Sequence, residues 1–130
     1  MENSIGIRFY FKQAYALDTD YATALINIAC VEDLMENYDD ADYFAKKALK
    51  VAKTNDNPKA EGDAYIIRGI AALHNQEKDD GIEYLSKASE KSESSKALAQ
   101  INVDIFSGNT AFPTIPKPKL SLSKEKKNNF

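Results

Sequence analysis

Residues 41–52 read Ala41-Asp42-Tyr43-Phe44-Ala45-Lys46-Lys47-Ala48-Leu49-Lys50-Val51-Ala52. Ala41, Ala45, Ala48 and Leu49 are spaced by three and four, which places them on one face of an α-helix and fits no alternating strand. Part of this stretch recurs. Ala45-Lys46-Lys47-Ala48-Leu49 aligns with Phe11-Lys12-Gln13-Ala14-Tyr15 at an offset of 34, and with Leu85-Ser86-Lys87-Ala88-Ser89 after a further 40 residues. A fixed offset carried by helix pairs is the signature of a solenoid, in which each unit buries its apolar face only by stacking on its neighbour.

Working outward, the same spacing appears in Ile7, Phe11, Ala14 and Tyr15, in Leu25, Ile28 and Ala29, and in Ile66, Gly69, Ile70 and Leu73. The interruptions carry helix-ending and helix-starting chemistry: Leu17-Asp18-Thr19-Asp20, Glu36-Asn37-Tyr38-Asp39, Thr54-Asn55-Asp56-Asn57-Pro58, Asn75-Gln76-Glu77 and Ser92-Glu93-Ser94. Asp, Asn and Ser side chains cap the free N–H groups of a following helix, and Pro58 suits a first helical position because it has no N–H to satisfy. The pattern predicts an all-α chain of six helices, at 3–17, 20–36, 38–53, 58–74, 78–91 and 94–107, whose short connections make neighbours antiparallel.

Composition narrows the function. Hydrophobic residues make up 43% and charged residues 28% of the 130, as in folded soluble chains rather than disordered ones. The net charge of −3 supplies no global attraction to phosphate backbones, so no nucleic-acid partner is expected. One cysteine, Cys30, excludes an internal disulfide, and with His74 as the one histidine neither a metal site nor a cofactor is expected. No apolar run has a membrane-spanning length, and Met1-Glu2-Asn3-Ser4 lacks the basic and apolar regions of a signal peptide. The expectation is a soluble, cytoplasmic protein.

The small residues add a packing argument. Glycine inside a helix costs about 0.5–1 kcal/mol relative to alanine, so Gly69 and Gly81 imply that a neighbouring helix must approach closely. Ala29 with Ala41, and Gly69 with Gly81, mark the tight crossing within each helix pair.

With these residues in place, the chain resembles the tetratricopeptide repeat family, whose pattern puts Trp, Leu-Gly and Tyr on a first helix and small residues, an aromatic and Ala-Leu on a second. From Ala22 to about Asn55 the matches are Leu25, Ile28-Ala29, Tyr38, Ala41 and Ala48-Leu49; from Gly62 to about Ser95 they are Tyr65, Arg68-Gly69, Gly81, Leu85 and Ala88. The chain departs from the pattern at Glu32 and Ala72 for the first-helix Tyr, at Thr19, Lys53 and Glu93 for the junction Pro, and at Arg68 for an apolar residue. The resemblance implies a helical-repeat domain over 1–109 made of a half repeat, two full repeats and a capping helix, followed by a Pro/Lys-rich flexible tail over 110–130. The 40-residue offset implies about six additional residues near 56–61, which the Asn57-Pro58 start suggests add a turn to the front of the fourth helix, with a local distortion there but no break in the array.

The resemblance also implies a non-catalytic role in binding another protein or peptide in a concave groove lined by the first helices. Carried onto this chain, the groove positions are Ile26, Asn27, Cys30, Leu34, Ile66, Ile70, Leu73 and His74, flanked by Thr23, Asp33, Asp63 and Ile67 and continued by Ala97, Gln100, Ile101 and Asp104. Members that clamp a C-terminal carboxylate need several donors at these positions. Here Asn27 alone remains, and the aliphatic lining points to an apolar segment or amphipathic helix. A competing expectation is that Ile66 and Ile70 pack between helices and line nothing.

The remaining candidates have plain readings. His74 near Asp33 or Asp63 has no nucleophile at a supporting spacing, Cys30 reads as a small core or groove residue, and Asp39-Asp40 and Asp79-Asp80 suit the positive ends of helices. The helix over Ser4 to Leu17 has no first helix to cover it, which implies a piece of a longer array, a spacer, self-association, or an accessory to a catalytic domain on a longer chain. The last helix, carrying Lys96, Gln100, Asn102 and Asp104 among its apolar residues, reads as a cap at which the array stops. The tail carries five Lys and one Glu for a net +4, against −7 over residues 1–109, and Pro113-Thr114-Ile115-Pro116 has polyproline-type spacing.

Overall fold

A computed structural model of the protein describes residues 21–108. It is all-helical over that span: α1 (Tyr21–Leu34), α2 (Tyr38–Thr54), α3 (Pro58–His74), α4 (Lys78–Ser89) and α5 (Glu93–Ser107), with no strand among the described residues. These five agree with the sequence-based helices to within two residues at each end. The sixth expected helix, at 3–17, and the tail at 110–130 lie outside the described residues.

Three connections share one geometry. Glu36, Asp56 and Gln76 adopt φ of 62°, 52° and 67°, and the next residue's N–H returns to a carbonyl five residues back: Asn37 to Glu32 at 2.8 Å, Asn57 to Ala52 at 2.9 Å, Glu77 to Ala72 at 2.8 Å. A second bond runs from each left-handed residue to the carbonyl three back, completing a Schellman motif that satisfies the last carbonyls of the helix. The following helix starts at once. Asn57 caps α3 by accepting the Ala60 N–H at 3.1 Å, with Pro58 in the first turn, and Ser92 caps α5 by accepting the Ser95 N–H at 3.1 Å.

The 55–57 junction is therefore built like its neighbours at 35–37 and 75–77, and the distortion expected near 56–61 is absent. The reason is length. Helices α2 and α3 both run 17 residues, so the additional residues are absorbed as helix and each helix plus its turn occupies twenty positions. Forty residues is thus the unit that relates Leu25 to Tyr65, Ala29 to Gly69, Ala41 to Gly81 and Ala48 to Ala88. The 34-residue offset rests on residues 11–15, outside the described span.

Packing follows from where the small residues lie. Helix α3 touches every other described helix, α1 contacts α2 and α3, and α2 and α4 do not meet. The helices thus form two staggered rows, α1, α3 and α5 in one, α2 and α4 in the other. A Cβ on Gly69 would lie 2.8 Å from Leu85 Cδ2, and one on Gly81 would lie 2.6 Å from Leu73 Cγ, contacts that only antiparallel α3 and α4 allow. Within the first row, Gly62 meets Ser95 at one end and His74 meets Phe106 at the other, so α3 and α5 run parallel. The core is correspondingly fine-grained, with Ala29, Ala41, Ala45, Ala48, Ala52, Ala64, Ala88 and Ala99 buried around Leu25, Ile28, Leu85 and Val103.

Polar groups pin the rows together. Arg68, at a position where an apolar side chain is expected, reaches from α3 to both helices of the second row: its Nε donates to Asp42 Oδ1 at 2.9 Å and its Nη2 to the Tyr84 hydroxyl at 3.0 Å. Its guanidinium also lies 4.3 Å from the centre of the Tyr84 ring. Lys91 pairs with the buried Glu61 at 3.1 Å, tying the 90–92 connection to the start of α3. The buried Glu32 accepts from Asn37 Nδ2 at 3.0 Å.

Helix α5, which reads as a cap in the sequence, has a mixed outer face on which Glu93, Ser94 and Asp104 are exposed beside apolar residues. Ser95, Ala99, Gln100 and Val103 fill its inner arc, and the helical period then turns Leu98, Ile101 and Ile105 outward, with 44%, 52% and 67% of their surface exposed.

Candidate functional site

The face shared by α1 and α3 holds the residues singled out in the sequence. Its floor is aliphatic. Ile26, Ile66 and Ile67 are buried in the main core, and Ile70 is half-buried against it. Leu73 is also buried, but its side chain lies over Gly81 and faces α4 instead of the α1/α3 seam. Of the remaining positions, Asn27 is half-buried, while Cys30, Leu34 and His74 are exposed, Leu34 to 80%. The accessible surface is thus Asn27, Cys30, Leu34, Ile70 and His74, above a floor of Ile26 and Ile66.

The electrostatics of the seam come from carboxylates. Asp33 is half-buried, and its Oδ1 is shielded from solvent without a donor among the described residues. That burial raises its carboxyl above the usual range, an effect partly opposed by the nearby His74. The Cys30 thiol is accessible at the surface, yet the protein surrounding it desolvates the thiolate, and Asp33 and Asp63 add repulsion, so its pKa is raised. A thiol held protonated is a weak nucleophile. Asp63 itself is engaged with Lys59 one turn earlier, at 3.0 Å.

His74 is placed by aromatic contacts. Its ring stacks on Tyr38 at 4.1 Å between centroids, nearly parallel, and meets the edge of Phe106 at 4.8 Å. This cluster joins the ends of α3 and α5 to the start of α2. Sequence reasoning assigned Tyr38 as an inter-helix aromatic but left Phe106 unmentioned, although it follows Ala99 and Val103 at the four-and-three spacing of a buried helix face and packs against the core.

On α5, Gln100 is buried with its Nε2 donating to Asp104 at 2.9 Å and its Oε1 without a donor among the described residues. Ala97, Ile101 and Asp104 are exposed. On the opposite side, Asp39, Asp42, Glu77, Asp80 and Tyr84 surround a recess of about 300 Å³, where Asn75 Nδ2 donates to Asp39 Oδ1 at 3.1 Å. Among the described residues no three His, Cys, Asp or Glu side chains come together in a way that could hold a metal ion, and no helix is long and apolar enough to cross a membrane. Compared with models of protein families, with curated proteins and with solved structures, the chain matches none.

Proposed function

We propose that this chain is a non-catalytic helical-repeat module of the tetratricopeptide type, and that it binds an apolar peptide segment or helix along the α1/α3 face. Support for the architecture comes from the two-row stacking and from the paired small residues, Ala29 with Ala41 and Gly69 with Gly81, at matching positions forty residues apart. The observation that carries the binding reading is the set of accessible apolar groups on this face. Leu34 is exposed, Ile70 is half-buried and Cys30 lies at the surface, above the buried Ile26 and Ile66. An apolar segment of another protein brings complementary side chains to them.

Covering Leu34 and the edge of Ile70 removes apolar surface from water, and this burial drives the binding. The test is selection of binders from a phage-displayed random peptide library against the full chain. Apolar consensus peptides are expected, whose binding is lost in Leu34→Asp and Ile70→Asp while circular dichroism stays helical. Binders indifferent to both substitutions would assign recognition to another surface.

A further inference from the structure

The outer face of α2 carries a concentration of positive charge that the packing of the two rows leaves open. Lys46, Lys47, Lys50 and Lys53 are all exposed, and none is in an ion pair among the described residues. With Tyr43 they fall within about 120° of one another around the helix axis, on the side opposite the buried Ala45, Ala48 and Ala52. No Asp or Glu interrupts residues 43–55. Tyr43 is 54% exposed and has the Lys47 ammonium 5.4 Å from its ring centre. Tertiary structure then extends the band beyond one helix. Lys53 from α2 and Lys87 from α4 come to 5.8 Å and 5.9 Å from the centre of the same Tyr65 ring on α3, so three helices gather two ammonium groups at one place. Glu83 offsets Lys87 at 3.6 Å, but Lys53 has no carboxylate partner among the described residues.

We propose that this face is a docking surface for a short acidic segment of a partner protein, with Lys46, Lys50 and Lys53 meeting its carboxylates and Tyr43 meeting the apolar groups between them. Charge complementarity sets the chemistry. An anionic occupant offsets both the unpaired ammonium groups and the mutual repulsion of Lys53 and Lys87. The spacing agrees: Lys46 and Lys50 are about 6 Å apart along the helix axis, and alternate side chains of an extended segment are about 6.6 Å apart. The limits of the band favour a polypeptide over a nucleic acid. Asp39 and Asp40 are exposed at the start of α2, Glu83 and Glu90 are exposed on and beside α4, and the chain as a whole carries −3. A phosphate backbone, negative along its whole length, would run from the lysines onto these carboxylates, whereas a short acidic run ends within the band. The band lies on the second row, away from the α1/α3 face, so the two readings stand or fall apart.

The test is fluorescence anisotropy of the full chain with a labelled peptide of alternating Glu and Ala, beside its counterpart with Gln for Glu and an oligodeoxythymidylate of equal charge. Expected are saturable binding of the Glu peptide, none of the Gln peptide, and an affinity that falls severalfold as salt is raised. Lys46→Glu with Lys50→Glu should weaken the Glu peptide by about tenfold, because each reversal turns an attraction into a repulsion. Helicity by circular dichroism should not change, since both side chains are exposed. Amide NMR shifts on addition of the peptide should centre on residues 43–53. Equal binding by parent and variant, shifts centred elsewhere in the chain, or no binding by the parent would overturn the proposal. Tighter binding of the oligonucleotide would do so by making a phosphate backbone the occupant.

Discussion

Gly69 and Gly81 face each other across the α3/α4 crossing so closely that a Cβ on either would stand 3.2 Å from the other's carbonyl oxygen. Helix propensity favours alanine at both positions by about 1 kcal/mol, but here the added methyl meets backbone as well as the Leu85 or Leu73 side chain. Overpacking of this kind costs about 1–3 kcal/mol, so the steric effect wins. Gly69→Ala should lower the urea midpoint, with a net loss of about 1 kcal/mol. A midpoint at or above the parent's would show that the two helices can separate at no cost.

Arg68 links three helices, so its partners should be energetically coupled. The Arg68 side chain is mostly buried while Asp42 is partly exposed, which limits the pair to about 0.5–1 kcal/mol. A double-mutant cycle of Arg68→Met with Asp42→Asn should return a coupling of that size. Arg68→Lys should fare nearly as badly as Arg68→Met, because an ammonium cannot bond Asp42 and Tyr84 together while stacking on the Tyr84 ring. Additive single effects would make the contact incidental.

Three helix ends place Glu36, Asp56 and Gln76 in the left-handed region that glycine enters without strain. Relief of that strain, about 1–2 kcal/mol, outweighs the additional chain entropy glycine loses on folding. Gln76→Gly should therefore stabilise the protein by about 0.5–1 kcal/mol in denaturant titrations, whereas glycine at Ala72, one turn earlier and buried in regular helix, should destabilise it.

Asp33 makes stability depend on pH with a definite sign. Its folded pKa is raised by burial, so the folded state holds the proton more tightly than the unfolded chain does. Its contribution to stability is present in full below the unfolded value of about 3.9 and is lost as pH rises through the raised folded value. Asp33→Asn should thus stabilise the protein at neutral pH, and the difference from the parent should close as pH falls toward about 3.9. A gap that stays constant across that window would mean Asp33 is as well solvated folded as unfolded.

The same carboxylates set the behaviour of Cys30. Iodoacetamide alkylation should be slower at neutral pH than for an unhindered thiol, with a midpoint above about 8.5 in its pH profile. Asp33→Asn should lower that midpoint by removing one repulsive charge. An unshifted profile would remove Asp33 from the neighbourhood of the thiol.

The amino-acid order alone was sufficient for the helices. The spacing in Ala41 to Ala52, the cap at Asn57-Pro58 and the turn residues at 36–37 and 75–77 are local signals, and helix formation is largely a local matter. The tight crossings were legible too, because glycine in a helix interior carries a penalty that only close approach offsets. What tertiary structure decided was which side of each helix met a neighbour. Leu73 and Ile70 lie three residues apart on the same helix with similar chemistry, yet Leu73 is spent on Gly81 and Ile70 keeps an accessible edge. Gln100, polar in the sequence, is inside, and Ile105, apolar, is outside. Helical periodicity defines angles between residues on a helix but not the rotation of the helix about its own axis. That rotation comes from the contacts α5 makes with α3 at Ser95 and Phe106, between residues more than thirty apart, and it decides which surfaces remain open to a partner.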